Sequence, residues 1–348
     1  MKYWALSIDT MKKVAVVILN YNGISMLEKF LPSVVAFSPE ADVVVADNAS
    51  CDGSLEFLRT NYPSMHVIVL ERNYGFADGY NKALAQVDAE YYILLNSDVE
   101  VTEGWIAPLL SFMEKNRAVV ACQPKLLAYK DNSSFEYAGA AGGFIDRYGY
   151  PFCRGRVFDT IEKDCGQYND ACSVFWATGA AMMVRSSNYW AVGGLDGRFF
   201  AHMEEVDLCW RLKARGGDIC CVPASVVYHV GGATLDKSNP WKTFLNFRNN
   251  LLMLYKNLPD GELRHVMRVR AVLDYVAAFM FLLSGNVGDF KAVLRARKEY
   301  RLMRAGYENV RKRNIAATVV HQPVGRMPFL LLWQYHACGR KLFNKLKK

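Results

Sequence analysis

Along the first hundred residues, short apolar runs alternate with apolar positions at helical spacing. Residues 14–19 (VAVVIL), 42–46 (DVVVA), 66–70 (HVIVL) and 91–95 (YYILL) carry apolar side chains with no regular polar alternation. That is the pattern of strands covered on both faces. Between them, Leu27, Phe30, Leu31 and Val34 recur on one helical face, and residues 55–60 and 77–87 predict two more helices. The strands end in polar turns of small residues: Asn20-Tyr21-Asn22-Gly23, residues 47–54 (DNASCDGS) and Asn96-Ser97-Asp98. Strand–helix alternation with short turns predicts a mostly parallel sheet with right-handed crossovers, a doubly wound α/β fold. In such sheets ligands bind beyond the carboxyl ends of the strands, so the three turns are expected to converge on one edge.

The pattern then loosens. Residues 105–116 predict a helix and 118–129 a strand, but 131–172 are rich in Gly, aromatic and polar residues with little periodicity. A segment of that length in a compact domain is expected to form a functional loop or hairpin region. Its Tyr137, Phe144, Tyr148, Tyr150 and Phe152 either stack on a ligand or pack inside. Residues 178–185 (TGAAMMVR) read as a strand, 204–215 as a helix stopped by Gly216-Gly217, and 218–222 and 226–230 as strands, with His229 at the end of the last. From Asn239-Pro240 onward the pattern is helical, over 241–258, 262–283 and 290–304, which divides the chain into 1–238 and 239–348. The run 275–283 (YVAAFMFLL) is too short to span a bilayer. Residues 327–347 join PFLLLW to Arg340, Lys341, Lys345 and Lys347, reading either as a basic amphipathic helix lying on anionic lipid or as a solvated C-terminal helix.

Composition changes this picture in three ways. With 52% hydrophobic and 22% charged residues the 348-residue chain is globular rather than disordered. Its 9 cysteines are odd in number and show no C-x-x-C spacing, which argues for reduced thiols in the cytoplasm and against a disulfide framework or zinc site. No signal-peptide pattern follows Met1, so secretion is not expected, and Met11 is a candidate second start. Residues 241–348 hold 21 Lys and Arg against 6 Asp and Glu, a net +15 beside the chain's total of +8. Such asymmetry points to an anionic surface meeting the C-terminal part, with nucleic acid and membrane lipid as the candidates.

Asp98 stands at the carboxyl end of the most apolar strand. It either closes an Asx turn or holds a divalent cation against a phosphate, since hard cations prefer oxygen ligands. The surrounding motifs bear on that choice: VVILNYNG (16–23), VVVADNASCDGS (43–54), NYGFADGYN (73–81), LLNSD (94–98), GGLDGRFFAHMEEVDLCWR (193–211) and YHVGGAT (228–234). Taken in order, they resemble the family 2 glycosyltransferases of the GT-A (Rossmann-like) fold, especially the bacterial rhamnosyltransferase-like branch, over residues 12–235.

The resemblance implies roles residue by residue. Asn20, Asn22, Asp47 and Asn48 would bind the nucleotide, with Asp47 reading the base. A carboxylate there accepts the imide N–H of uracil or thymine and so favours a pyrimidine. Asp52 is a second nucleotide contact or the charge at the next helix N-terminus. Asn73, Gly75 and Gly79 match the donor loop, where glycine lets backbone approach phosphate or ribose; Asp78 replaces a residue that is more often small. Asn96 and Asp98 match the two ends of the D-x-D motif, and His229 matches a histidine completing the shell of a divalent metal, Mn²⁺ suiting imidazole better than Mg²⁺. Glu204-Glu205-x-Asp207 matches the acidic motif that supplies the base, although acids in a first helical turn complement its dipole whatever their function. Only one of two successive carboxylates is expected to aim at the site; Glu205 is assigned as base and Glu204 as its fallback, with Asp207 and Arg211 as an i, i+4 pair. Trp176 and residues 178–180 would lie under the acceptor.

The implied activity is inverting transfer of a sugar from dTDP-rhamnose or a UDP-hexose to a glycan or lipid-linked glycan, by an enzyme resting on the inner face of the cytoplasmic membrane. The alternatives are a sugar-phosphate nucleotidyltransferase and a non-catalytic nucleotide-sugar-binding module. No nucleic-acid motif is recognised, and no G-x-G-x-x-G follows the first strand.

Overall fold

A computed structural model of the chain describes residues 12–231 and 239–347. Its first half alternates as the pattern predicts: β1 (Val14–Asn20), α1 (Ile24–Ala36), β2 (Ala41–Asp47), α2 (Ser54–Asn61), β3 (His66–Val69), α3 (Gly75–Leu84) and β4 (Tyr91–Asn96). Then come β5 (Val99–Val101), α4 (Ile106–Lys115) and β6 (Val119–Ala128). Six short strands occupy the aperiodic segment: β7 (Asp131–Phe135), β8 (Gly143–Asp146), β9 (Pro151–Cys153), β10 (Arg156–Val157), β11 (Thr160–Ile161) and β12 (Cys172–Ser173). They are followed by β13 (Ala181–Arg185), α5 (Ser186–Ala191), α6 (Glu204–Ala214) and β14 (Asp218–His229). The C-terminal region consists of α7 (Pro240–Asn257), α8 (Asp260–Leu283), α9 (Val287–Met303), α10 (Glu308–Ala316) and β15 (Arg326–Met327).

The main sheet runs β12-β14-β6-β13-β4-β1-β2-β3, with β5 on β14 and β7 on β6. The β4-β1-β2-β3 half is parallel, while β13 lies antiparallel between β4 and β6. Helices cover both faces of β1, so its apolar run needs no polar alternation: Val14, Val16 and Val17 are fully buried. The register sets Asn20 beside Asp47 and Leu19 beside Asn96, which brings the three polar turns to one edge. The two strands predicted over 218–230 are one, β14, with an irregularity between Val222 and Val226 around Pro223. Its far end pairs antiparallel with β5, His229 opposite Val99.

The segment 131–172 supplies most of a second sheet, β11-β10-β9-β8-β15. Phe144 and Phe152 face each other inside it, 5.9 Å between ring centroids, and are buried core residues.

The expected amphipathic helix over 327–347 does not form. Pro328 and Gly339 interrupt the segment, and Gly339 takes φ +66°. It holds only a π-helical turn, Trp333–Ala337, and a 3-10 turn, Phe343–Lys345. Part of its apolar surface is spent on protein, although Trp333 stays 63% exposed: Leu331 is fully buried, and the Phe343 ring packs against Phe144, Phe152 and Tyr168. The Leu331 amide donates to Asp146 Oδ2 at 2.8 Å.

Helices after residue 239 share a core with strands before 231. Leu251, Leu252 and Leu254 of α7 lie in the same buried cluster as Tyr80 of α3 and Leu94 of β4. The division drawn at 238 falls within 232–238, as does part of the motif at 228–234; those residues and the first eleven lie outside the described ones.

Candidate active site

At the edge formed by the three turns, polar side chains hold one another in place. Asn20 Nδ2 donates to Asp47 Oδ2 at 3.0 Å, and the Ser50 amide donates to Asp47 Oδ1 at 2.9 Å. Asn20 and Asp47 are both fully buried. The Asp47 carboxylate therefore lies beneath the surface with each oxygen engaged. Asn22 is exposed, takes φ +49°, and accepts from the Cys51 amide at 2.8 Å. Asp52 bridges two helices: Oδ2 accepts from the Ile24 amide at the start of α1, and Oδ1 from the Ser54 amide and hydroxyl at the start of α2. Burial alone would raise its pKa, but the hydrogen bonds from Ser54 and Ile24 outweigh that and lower it.

Asn48 links this edge to the next loop. Its Nδ2 donates to Asn73 Oδ1 at 3.1 Å and to the Gly75 carbonyl at 3.0 Å, while its Oδ1 accepts from the Tyr74 amide. Both glycines of that loop are crowded by protein, and Gly75 also lines the cavity described below. A Cβ on Gly75 (φ +73°) would fall 2.5 Å from the Phe200 ring, and one on Gly79 would fall 3.0 Å from Leu19. Gly75 is what lets the loop dock on Phe200, whose carbonyl accepts from the Phe76 and Ala77 amides. Gly79 lets α3 pack closely on β1.

The antiparallel pairing of β5 with β14 places His229 against Asp98. His229 Nε2 lies 3.1 Å from Asp98 Oδ1, and its Nδ1 lies 3.4 Å from Glu136 Oε2, too poorly aligned for a hydrogen bond. All three groups are buried. Burial alone would lower the histidine's pKa; the two carboxylates, Glu136 first, outweigh it and push it up to about 10. The imidazole is thus held protonated, a cation between two anions. A metal ion at Nε2 would displace the proton there, since only the neutral imidazole carries a lone pair. Glu136 sits in the aperiodic segment, where no pattern in the sequence marked it.

Asp98 and His229 Nε2 suit a divalent ion. They offer one carboxylate oxygen and one imidazole nitrogen, close enough together to share an ion, at the wall of a cavity of about 450 Å³. Among the described residues no group of three or more such side chains encloses an ion by itself. The remaining ligands would have to come from a bound molecule, as is usual where phosphate oxygens complete the shell. Asn96 and Ser97 line the same wall.

The acidic motif borders this cavity too. Both Glu204 and Glu205 line it, contrary to the expectation that only one carboxylate would. They are the first two residues of α6, and side chains at a helix start tilt toward its N-terminal end, so a cavity capping that end receives both. Burial raises the pKa of each; the Glu205 charge adds to the effect at Glu204, which is pushed well above the ordinary value. Glu204 Oε2, Glu205 Oε2 and His202 Nε2 are buried without a hydrogen-bond partner, which is uncommon for native polar atoms and marks a place prepared for a ligand.

The chain entering α6 is strained. Phe200, His202 and Met203 take φ of +68°, +70° and +71°, a region non-glycine residues seldom occupy. It is held from α7: Asn249 Nδ2 donates to the carbonyls of Phe199, Ala201 and His202 at 2.9, 2.9 and 2.8 Å. Burial, and then the Lys242 charge, lower the His202 pKa to about 4, so its ring is neutral near pH 7. His202, Trp241 and Lys242 line the cavity and were missed from the sequence, although His202 lies only two residues before Glu204.

Asp207 belongs beneath the cavity. It is fully buried and receives Arg211 Nε at 2.9 Å, Lys256 Nζ at 2.8 Å and Asn257 Nδ2 at 2.8 Å. The i, i+4 pair with Arg211 is therefore an interior junction between α6 and α7. Thr178, Gly179 and Ala180 line the cavity, whereas Trp176 packs inside against Gly143 and donates to the Phe144 carbonyl.

A polar sheet edge, a carboxylate–histidine pair and an acidic helix start meet around one cavity, the arrangement expected of a glycosyltransferase. The family model for glycosyl transferase family 2 matches residues 15–178, and the chain belongs to that family. It is 30% identical to N-acetylglucosaminyl-diphospho-decaprenol L-rhamnosyltransferase of Mycobacterium tuberculosis, over 62% of this chain and 75% of that one. It is 25% identical to rhamnosyltransferase WbbL of Escherichia coli, over 68% and 91%. In fold it is similar to S. aureus TarS 1-349 in complex with UDP-GlcNAc, with TM-score 0.55 and 13% identity over 88% of this chain and 89% of that one. It is also similar to a Pyrobaculum calidifontis mannosyltransferase in complex with GDP-Man and Mn2+, with TM-score 0.51 and 13% identity over 89% and 86%. The chain is a glycosyltransferase of the GT-A fold.

Proposed function

We propose that this enzyme transfers a hexose, with inversion, from dTDP-rhamnose or a UDP-hexose to a hydroxyl of a lipid-linked glycan. The observation that carries the reading is the meeting of Asp98 and His229 with Glu204 and Glu205 around one cavity. The rhamnosyl names of the similar proteins favour rhamnose as the sugar, and the lipid diphosphate in one of those names favours a lipid-linked acceptor.

The donor's nucleotide lies against Asn48, Asn73 and Asn96, and Asp47 serves its base from below by fixing Asn20 and Ser50. Asp98 and the neutral form of His229 would hold a divalent ion, which when bound would neutralise charge on the donor's diphosphate. Glu205 is the base. Burial raises the pKa of both carboxylates and the Glu205 charge raises that of Glu204 further, so ionisation of both together is disfavoured. Glu205 then removes the acceptor hydroxyl's proton as that oxygen bonds to the anomeric carbon. The anomeric C–O bond breaks and its electron pair leaves with the nucleoside diphosphate. Gly75, Phe76 and the strained loop at 200–203 hold the reacting groups in line, and the neutral His202 ring hydrogen-bonds the acceptor.

The test is transfer to a synthetic polyprenyl-diphosphate-linked acceptor from a panel of dTDP- and UDP-sugars with Mn²⁺. One donor should outpace the others, and product NMR should show the inverted anomer. Retention of configuration, or no transfer from any pyrimidine sugar nucleotide, would remove the reading.

A further inference from the structure

The α8–α9 hairpin ends in an apolar surface that no described part of the protein covers. Val272, Val276, Phe279, Met280 and Leu283 follow helical spacing along the outer face of α8, and Val287 continues the patch into α9. Phe279, Met280 and Leu283 are 56%, 62% and 71% exposed. The opposite face of α8 is firmly held: Arg270 and Arg297 converge on the fully buried Asp274. The stripe is therefore presented by a rigid helix pair and is not left over from loose packing.

Charge identifies what covers it. Between residues 263 and 298 the chain has two acids, Asp274 and Asp289, and both are buried. The outward charges are basic: Arg264 and Arg268 on α8, Lys291, Arg295 and Lys298 on α9. An apolar ridge rimmed by cations and free of exposed anions matches an anionic bilayer interface, where the side chains enter the headgroup boundary and the rim meets lipid phosphate. A second copy of the chain fits poorly, because a twofold contact would bring the two basic rims together. No helix among the described residues is long and apolar enough to cross a membrane, so the ridge lies on the surface.

We propose that the α8–α9 tip is the membrane-docking surface of this enzyme, in place of the C-terminal segment the sequence suggested. Its position deepens the proposed function and rests on that reading. Gly288, at the tip, packs so closely on Pro240 that a Cβ there would fall 2.7 Å from the ring. Trp241 and Lys242, which follow directly, line the cavity, and Arg295 stacks 5.6 Å from Trp241. Docking by the tip therefore sets the cavity's rim at the interface, where a lipid-borne acceptor carries its glycan.

The test is co-sedimentation of the full chain with phosphatidylglycerol–phosphatidylcholine vesicles and with phosphatidylcholine alone, beside F279D/M280D and K291E/K298E. Wild type should pellet with the anionic vesicles and much less with the neutral ones. Each variant should lower the bound fraction by roughly tenfold while leaving melting temperature and transfer to a short-chain soluble acceptor unchanged. Equal binding of F279D/M280D and wild type would overturn the proposal. So would no binding by wild type, or a dimer in size exclusion that F279D/M280D dissolves without any lipid binding. Vesicle binding needs neither donor nor acceptor, so its outcome is independent of whether the proposed transfer is observed.

Discussion

Asn249 Nδ2 lies 2.8 Å from the carbonyl oxygen of His202, joining α7 to the loop in front of Glu204. The same nitrogen serves the Phe199 and Ala201 carbonyls, so one buried amide holds three residues of a strained turn. Asn249→Ala should cost about 1–3 kcal/mol in folding stability for the unmet carbonyls. With the loop relaxed, kcat should fall more than the donor KM rises. Thermal unfolding and steady-state kinetics check both. Unchanged kcat in a destabilised variant would reduce Asn249 to a purely structural role.

Glu205→Gln should remove transfer by roughly 10²–10⁴-fold and keep nucleotide affinity, since general-base catalysis contributes on that scale. Glu204→Gln should be the milder change. The base must be anionic, so activity is full above its pKa and declines as pH falls through it. Burial raises that pKa, and the acid limb of the pH–rate profile should therefore lie above the ordinary glutamate value of 4.5. A Glu205→Gln enzyme with wild-type turnover would move the base to Glu204.

Asp98→Ala and His229→Ala should each weaken binding of a nucleoside diphosphate in the presence of Mn²⁺. Chelation of wild type with EDTA should weaken it comparably. Isothermal titration with UDP and dTDP, with and without Mn²⁺, measures this directly. Identical affinities with and without the ion would remove the metal from the proposed mechanism.

Asp207→Asn should be strongly destabilising, by roughly 3–5 kcal/mol, because it leaves the buried Arg211 without its counter-charge and Lys256 with Asp196 alone, 2.6 Å away. Burial alone would raise the Asp207 pKa; Lys256, then Arg211, outweigh it and lower it. A depressed carboxylate contributes stability that is present above its unfolded pKa and lost as pH falls through the folded one. The gap between wild type and Asp207→Asn should therefore narrow on acidification below the ordinary aspartate value of 3.8. Denaturant titrations at a series of pH values test the sign.

Much of this arrangement was legible because it is local. The unalternating runs at 14–19 and 91–95 reveal strands covered on both sides, and the turns after them lie at one edge because parallel strands repeat the same polarity. Asp98, His229, Glu204 and Glu205 were readable from short motifs, and the cavity gathers all four. Glu136 was not, since it approaches His229 through a long-range pairing inside a segment without periodicity. Gly75 and Gly79 were legible as special positions, but the close protein contacts they make room for were not.

The sequence by itself determined the alternation of elements, the sheet edge where the polar turns gather, and the residue types able to do the chemistry. Those properties depend on side-chain period and turn composition within some ten residues. Only tertiary structure decided that both glutamates face one cavity, that α7 clamps the loop before them, and that residues 327–347 fold onto the second sheet while the α8–α9 tip stays bare. Such outcomes depend on which apolar surfaces find partners across the whole chain, and no local pattern records that competition.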